Sequence, residues 1–331
     1  MKTKILFMFV LIYCSYTFGQ VSKVGTTAAP FLQIGVGSRA AALGEAYTSV
    51  TDEASSLYWN PASIDFFANN EVQFNYSDWL ADMKFLNAIA VLHIDSYGSF
   101  GLSVTSLSTP EMVVRTVDYP EGIGSRFDAA DIAMGLSYSK KLTDRFAFGA
   151  TFKYINRRIW NMNANAIAMD FGIIYKLPLD NMQLGMSILN FGSKLQIQGS
   201  DAMVYTDIAE DVIGNNTQIL SQLMTKEWAL PLSLRFGLSY KVIESEQHHL
   251  LLASDYIHPN DNFSSLNFGG EYGFLNHFFV RAGYKSLMLD NAEDGLTFGG
   301  GIKYAFFGID YSYVKMKHLK YVQQFSIKIS F

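Results

Sequence analysis

The chain ends on Phe325-Ser326-Ile327-Lys328-Ile329-Ser330-Phe331. Successive side chains of an extended backbone point to opposite sides. Phe325, Ile327, Ile329 and Phe331 therefore share one face, and Ser326, Lys328 and Ser330 share the other. An apolar face opposite a charged one is what a strand needs when lipid lies on one side and a polar lumen on the other. The same unit, about ten alternating residues and a turn, recurs back to about residue 70. The segments in the first half are 70–79, 84–94, 98–108, 127–140, 146–159, 164–176 and 182–197. Those in the second half are 231–243, 247–258, 263–274, 277–288, 296–306, 307–315 and 321–331. These segments predict an all-β fold, a 14-stranded antiparallel transmembrane β-barrel over 70–331.

Composition agrees. The chain is 49% hydrophobic and 15% aromatic but only 17% charged, against roughly 25% charged in soluble domains. A β-rich secreted protein is the alternative, and alternation sustained through every segment favours the barrel. Lys2 and Lys4 precede an apolar run from Ile5 to Tyr13, followed by Ser15, Thr17 and Gly19. That is the layout of a signal peptide over 1–19, which directs export to the bacterial outer membrane. The single cysteine, Cys14, lies inside it, so the mature chain is expected to owe nothing to disulfides. A formal net charge of −5 gives no reason to expect a nucleic-acid partner.

The connections alternate between tight turns, such as Asp95–Gly98 and Glu244–Glu246, and longer stretches at 109–126, 198–230 and 289–295. Short turns belong to the periplasmic side of bacterial barrels, which puts both mature termini there. Trp79, Trp160 and Trp228 fall at the long-loop end, where an aromatic girdle is expected. Charge on a lipid-facing site at the bilayer midplane costs about 2–4 kcal/mol for Arg or Lys. Asp170, Arg235, Asp255, Glu271, Arg281, Lys303 and Asp310 are therefore expected to face the lumen.

Residues 20–69 read differently. Small residues dominate, and short helices are expected after Ser38 and Asp52 as caps. Gly35, Gly37 and Ala40 match G-x-G-x-x-A, but the antiparallel meander that follows offers no βαβ unit to hold a dinucleotide. Three stretches carry a family resemblance: Phe31-Leu32-Gln33-Ile34, Ser38-Arg39-Ala40-Ala41-Ala42-Leu43-Gly44-Glu45-Ala46, and Tyr58-Trp59-Asn60-Pro61-Ala62. They resemble the PorV/PorQ family of outer-membrane proteins, relatives of the FadL-like barrels. Glu45 departs from the pattern, which tends to glycine there. The resemblance implies a barrel whose lumen is partly closed by an N-terminal hatch, with Ser38, Arg39, Trp59, Asn60 and Pro61 as the hatch motif. It also implies association with type IX secretion machinery. Arg39, confined in that space, is expected to pair with one of Asp170, Asp255, Glu271 or Asp310.

No catalytic constellation, cofactor motif or metal-ligand set emerges. His248 and His249 are adjacent on a strand and face opposite ways, and no cysteine follows the leader. Three functions remain open. One is docking or handling of exported cargo, with a protein partner. Another is transport of a hydrophobic small ligand, and the third is a structural role among outer-membrane lipid. In the 198–230 loop, Leu220, Leu223 and Met224 lie at helical spacing and are expected to form an apolar docking face.

Overall fold

The computed structural model describes residues 23–331 apart from 68, 180, 208–217 and 290–291. The leader therefore lies outside the described residues. Fourteen antiparallel strands form a closed barrel. They are β1 Glu71–Asp78, β2 Lys84–Ile94, β3 Gly98–Ser108, β4 Ala129–Thr143, β5 Phe146–Ile159, β6 Met162–Lys176 and β7 Met182–Gly192. The remainder are β8 Ser233–Glu244, β9 His248–Pro259, β10 Ser265–Phe274, β11 Phe278–Leu287, β12 Asp294–Tyr304, β13 Phe307–Met316 and β14 Tyr321–Ser330. Each pairs with its chain neighbours, and β1 closes on β14 with Phe74 opposite Ile327. Closure leaves no sheet edge, the condition for a sheet to stand in lipid.

One end of the barrel carries only short turns. The other carries 109–128 and 193–232, but also a two-residue turn at Trp160-Asn161, so loop length alternates less strictly than the sequence suggests. β7 ends at Gly192 rather than near 197. Where β6 meets β7 the register breaks between Met169 and Phe171. Asp170 stitches the gap by accepting from the Asn190 backbone N–H at 2.7 Å. Trp160 stacks on Phe127 and stays exposed, as does Trp228 under Lys226. Trp79 turns inward instead and packs near Ala41, Val314 and Val322 at the mouth of the lumen. It follows Asp78, an outward position, so strand parity already sends it inside.

Residues 28–67 lie inside the barrel and are buried almost throughout. Two short helices occur, α1 Ser38–Ala42 and α2 Ser56–Trp59, with 3₁₀ turns at Pro30–Gln33 and Pro61–Asp65. Neither expected cap operates. α1 starts after Gly37, and the Ser38 hydroxyl meets Ser326 on β14. α2 starts after Ser55, and Asp52 goes to Arg39. In a filled lumen these side chains are taken by the wall, in the case of Ser38, and by the neighbouring helix, in the case of Asp52, rather than by their own helix ends.

Wall glycines make the seat. A Cβ at Gly283 stands 2.3 Å from the Gly44 nitrogen, one at Gly269 2.3 Å from the Leu43 oxygen, and one at Gly299 2.5 Å from Ala42. Across the lumen, Gly149 lies against Pro61, Gly172 against Asn60, and Gly185 against Thr48. Gly270 and Gly300 take no part in this contact. The backbone of the hatch thus rests directly on the backbone of the wall, which only glycine permits. Gly283→Val is expected to destabilise the barrel by about 1–3 kcal/mol and to speed proteinase K cleavage within 38–62. Gly270→Ala, whose Cβ meets Leu252 and Leu251 at ordinary contact distance and nothing of the hatch, is expected to leave both unchanged; equal behaviour of the two variants removes the seat.

Candidate functional site

The lumen is organised by charge. Arg39, the second residue of α1, reaches the wall, its Nη2 bonding the Glu271 Oε1 at 2.7 Å and its Nη1 the Asp52 Oδ1 at 2.6 Å. Glu271 also accepts from Arg281 Nε, and Arg281 Nη1 bonds Asp310 at 2.6 Å. Asp310 faces Lys328 at 3.0 Å, and Lys328 returns to the hatch at Glu53, 2.9 Å away. A continuous chain of ion pairs thus runs from α1 through β10, β11, β13 and β14 back to the segment before α2. The polar belt beside it, Ser38–Ser326–Asn75–Asn87–Thr105, is hydrogen-bonded from hatch to β3. A buried charge is costly unless it is paired and hydrogen-bonded, and the members of this chain are paired.

The residues marked from sequence divide as follows. Glu271, Arg281 and Asp310 join Arg39 in one network. Asp170 pairs with Lys153 at 2.6 Å on the opposite wall. Asp255 receives the Tyr47 and Thr48 backbone N–H groups at 3.0 and 2.9 Å and fixes the hatch without an ion pair. Arg235 lies 4.8 Å over the Trp59 ring, and its Nε and Nη1 have no hydrogen-bond partner among the described residues. Lys303 shares the inward parity but stands exposed at the short-turn mouth, where water replaces a counter-charge. Trp59 donates Nε1–H to the Val36 oxygen. Asn60 accepts from the Ala62 N–H and donates to Thr48 and Ile173 oxygens, tying the 3₁₀ turn at Pro61 to β6.

Several partners went unmarked in the sequence reading: Asp52, Glu53, Lys153, Lys285 and Lys328. Lys328 shows in the alternation of the last strand, and Lys153 in that of β5. The hatch carboxylates carry no periodicity, so no pattern marks them. Glu45 is the instructive case. Its φ is 60°, in the left-handed region beside Gly44 at 65°, which explains why glycine suits the position. Its carboxylate bonds Lys285 at 2.7 Å, and Lys285 also holds Asp294 at 2.7 Å. The ion pair offsets the cost of the backbone.

Between the hatch and the β3–β6 wall a cavity of about 20 Å³ remains, lined by Leu32, Tyr58, Thr105, Thr151, Lys153 and Asp170. That is room for about one water. At the long-loop rim, Ile219–Gln222 pairs as a strand with Met203–Thr206. The helical face expected of Leu220, Leu223 and Met224 does not form. The antiparallel ladder satisfies the backbone that a lone helical turn would leave to water. All three side chains are exposed, Met224 at 93%.

Fold and lumen together define an outer-membrane β-barrel of FadL-like architecture closed by an N-terminal plug. The chain belongs to the family of the type IX secretion system protein PorV, whose model matches residues 18–207. Among solved structures, the CymD monoaromatic hydrocarbon channel aligns at 13% identity with TM-score 0.59, covering 90% of this chain and 98% of that one. The Ralstonia pickettii toluene transporter TbuX aligns at 11% and 0.58, covering 90% and 98%. A Pseudomonas aeruginosa FadL homologue aligns at 12% and 0.54, covering 94% and 99%. These likenesses are of fold. No curated protein matches the sequence.

Two outcomes follow from the network. Arg39→Met strands Asp52, leaves Glu271 to Arg281, and is expected to cost about 3–5 kcal/mol, read as a lowered unfolding temperature in detergent. The second concerns Glu53. Burial alone raises its carboxyl, but Lys328 and Arg39 outweigh that and hold it down to about 2. A depressed carboxyl contributes fully above its ordinary value and loses its contribution as pH falls through the folded value. Amide exchange across 38–62 is therefore expected to stay slow from about pH 7 to about pH 5. It should quicken between the ordinary 4.5 and about 2, while the strands stay protected. Exchange that quickens already above pH 5 overturns the assignment.

Proposed function

We propose that this barrel docks and handles exported cargo with the type IX secretion machinery, using its external rim rather than its lumen. The observation that carries the reading is the filled lumen, with its cavity of about 20 Å³ beside the hatch. An apolar molecule entering from outside meets a wall of paired charges, and to pass it must separate them. In this reading residues 1–19 are removed on export, residues 20–69 act as a permanent hatch, and the long loops face outward, leaving both mature termini in the periplasm. The exposed Leu220, Leu223 and Met224, on and just after the Ile219–Gln222 strand, then supply an apolar contact for a protein partner. Membership of the family supplies the kind of partner.

Replacing Leu220, Leu223 and Met224 by serine is expected to leave a folded, heat-modifiable barrel that no longer co-purifies its partner from native outer membranes. Deleting 205–226 is expected to do the same. Two results overturn docking in favour of transport: an apolar ligand retained under the loops, and uptake of that ligand lost in the serine variant. Unchanged co-purification with no ligand leaves the structural role.

A further inference from the structure

The lipid-facing wall carries a site of its own. Register sets two neighbouring outward rows across β14, β1, β2 and β3: Phe325–Tyr76–Leu86–Ser106 and Ile327–Phe74–Ala88–Val104. Ala88 and Ser106 are the short members. Between their larger neighbours the wall dips into a groove with room for about 430 Å³. The next row toward the long-loop end is Gln323–Asp78–Lys84–Ser108. Lys84 thus stands about 7 Å above Leu86 along the same strand. Lys315 points outward from β13 opposite Tyr321, and Lys320 lies in the connection that follows.

All three lysines are exposed. Of the nearby carboxylates, Asp78 accepts from the Tyr76 hydroxyl, and Asp82 lies in the β1–β2 connection. A chain with net charge −5 thus places three ammonium groups around the head of an apolar groove in its membrane face. The two features fit the two halves of one kind of molecule. An acyl chain fills a dip in the wall and recovers dispersion contacts that a flat wall lacks. An anionic headgroup lies where the strands leave the hydrocarbon, at the level of the lysines. A protein wall seated on the same patch has to desolvate Lys84 or meet it with a carboxylate at lipid depth, which is costly.

We propose that this groove is a binding site for an anionic, phosphate-bearing lipid of the leaflet at the long-loop end. The acyl chain lies over Ala88, and the phosphate meets Lys84, with Lys315 and Lys320 flanking it. The site does not depend on the docking role, since it lies on the wall and not at Leu220, Leu223 and Met224.

The test uses the full barrel in phosphatidylcholine nanodiscs doped with lipid A, and native mass spectrometry counts the lipids retained on release. The wild type is expected to hold lipid A in preference to phosphatidylcholine. Lys84→Gln is expected to weaken retention about fivefold, and Lys315→Gln to add a comparable loss. Ala88→Phe fills the groove from an outward position and is expected to abolish retention in a barrel that stays heat-modifiable. Equal retention of the two lipids, or lysine variants that behave as wild type, overturns the headgroup assignment. A photocrosslinker at position 88 that captures protein rather than lipid in native outer membranes overturns the site altogether.

Discussion

A guanidinium sealed in a lumen with little water must meet counter-charge, and in this barrel the counter-charge is divided between plug and wall. Arg39 belongs to the plug and Glu271 to the wall; Lys328 belongs to the wall and Glu53 to the plug. Neither part satisfies its charges alone. The wall without its plug leaves Glu271 facing Arg281 with one partner removed, and the plug without its wall leaves Arg39 and Glu53 without Glu271 and Lys328 and exposes Phe31, Leu43 and Ile64. The barrel and its N-terminal segment are therefore one folding unit, although their sequences follow different rules.

Glycine makes that division geometrically possible. Ion pairs at 2.7–2.9 Å require the hatch backbone to lie close to the strands, and an ordinary side chain at 269, 283 or 299 holds it away. The same closeness forces the turn at Gly44-Glu45 into the left-handed region, where the wall carbonyl of Phe268 leaves no space for a Cβ at 44. Glu45 lacks glycine's freedom and is retained through its bond to Lys285. Packing and electrostatics therefore act on the same few residues, and a change to either is felt by the other.

This separation explains what the sequence disclosed. Strand alternation is imposed by lipid on one side and polar lumen on the other, so the strands and most inward charges could be read residue by residue. Lys303 is the informative exception, since parity gives direction but not depth along the strand. The plug answers to no period. Its helices last one turn, their expected caps are taken by Ser326 of the wall and by Arg39, and its motif is intelligible only once Trp59 is seen bonding the plug backbone at Val36 and Asn60 the wall backbone at Ile173. Loop segments fail for another reason. Leu220, Leu223 and Met224 fit a helix by spacing, yet Met203–Thr206 lies in reach and offers a ladder instead. Spacing cannot register a partner that far away in the chain.

In the proposed docking role, a lumen closed by shared charges moves function to the surfaces. A transport barrel gains from weak, hydrated lumenal contacts that a solute can displace. Here the lumenal groups bond one another, and the energy that anchors the plug is the energy a solute would have to supply to pass. What remains open to partners is the outside: a rim with exposed apolar side chains at Leu220, Leu223 and Met224, and a wall whose groove over Ala88 ends beneath exposed lysines. Each meets a different phase, water and lipid. A protein that works by contact at a membrane needs both surfaces held in a fixed relation, and the filled lumen supplies that rigidity.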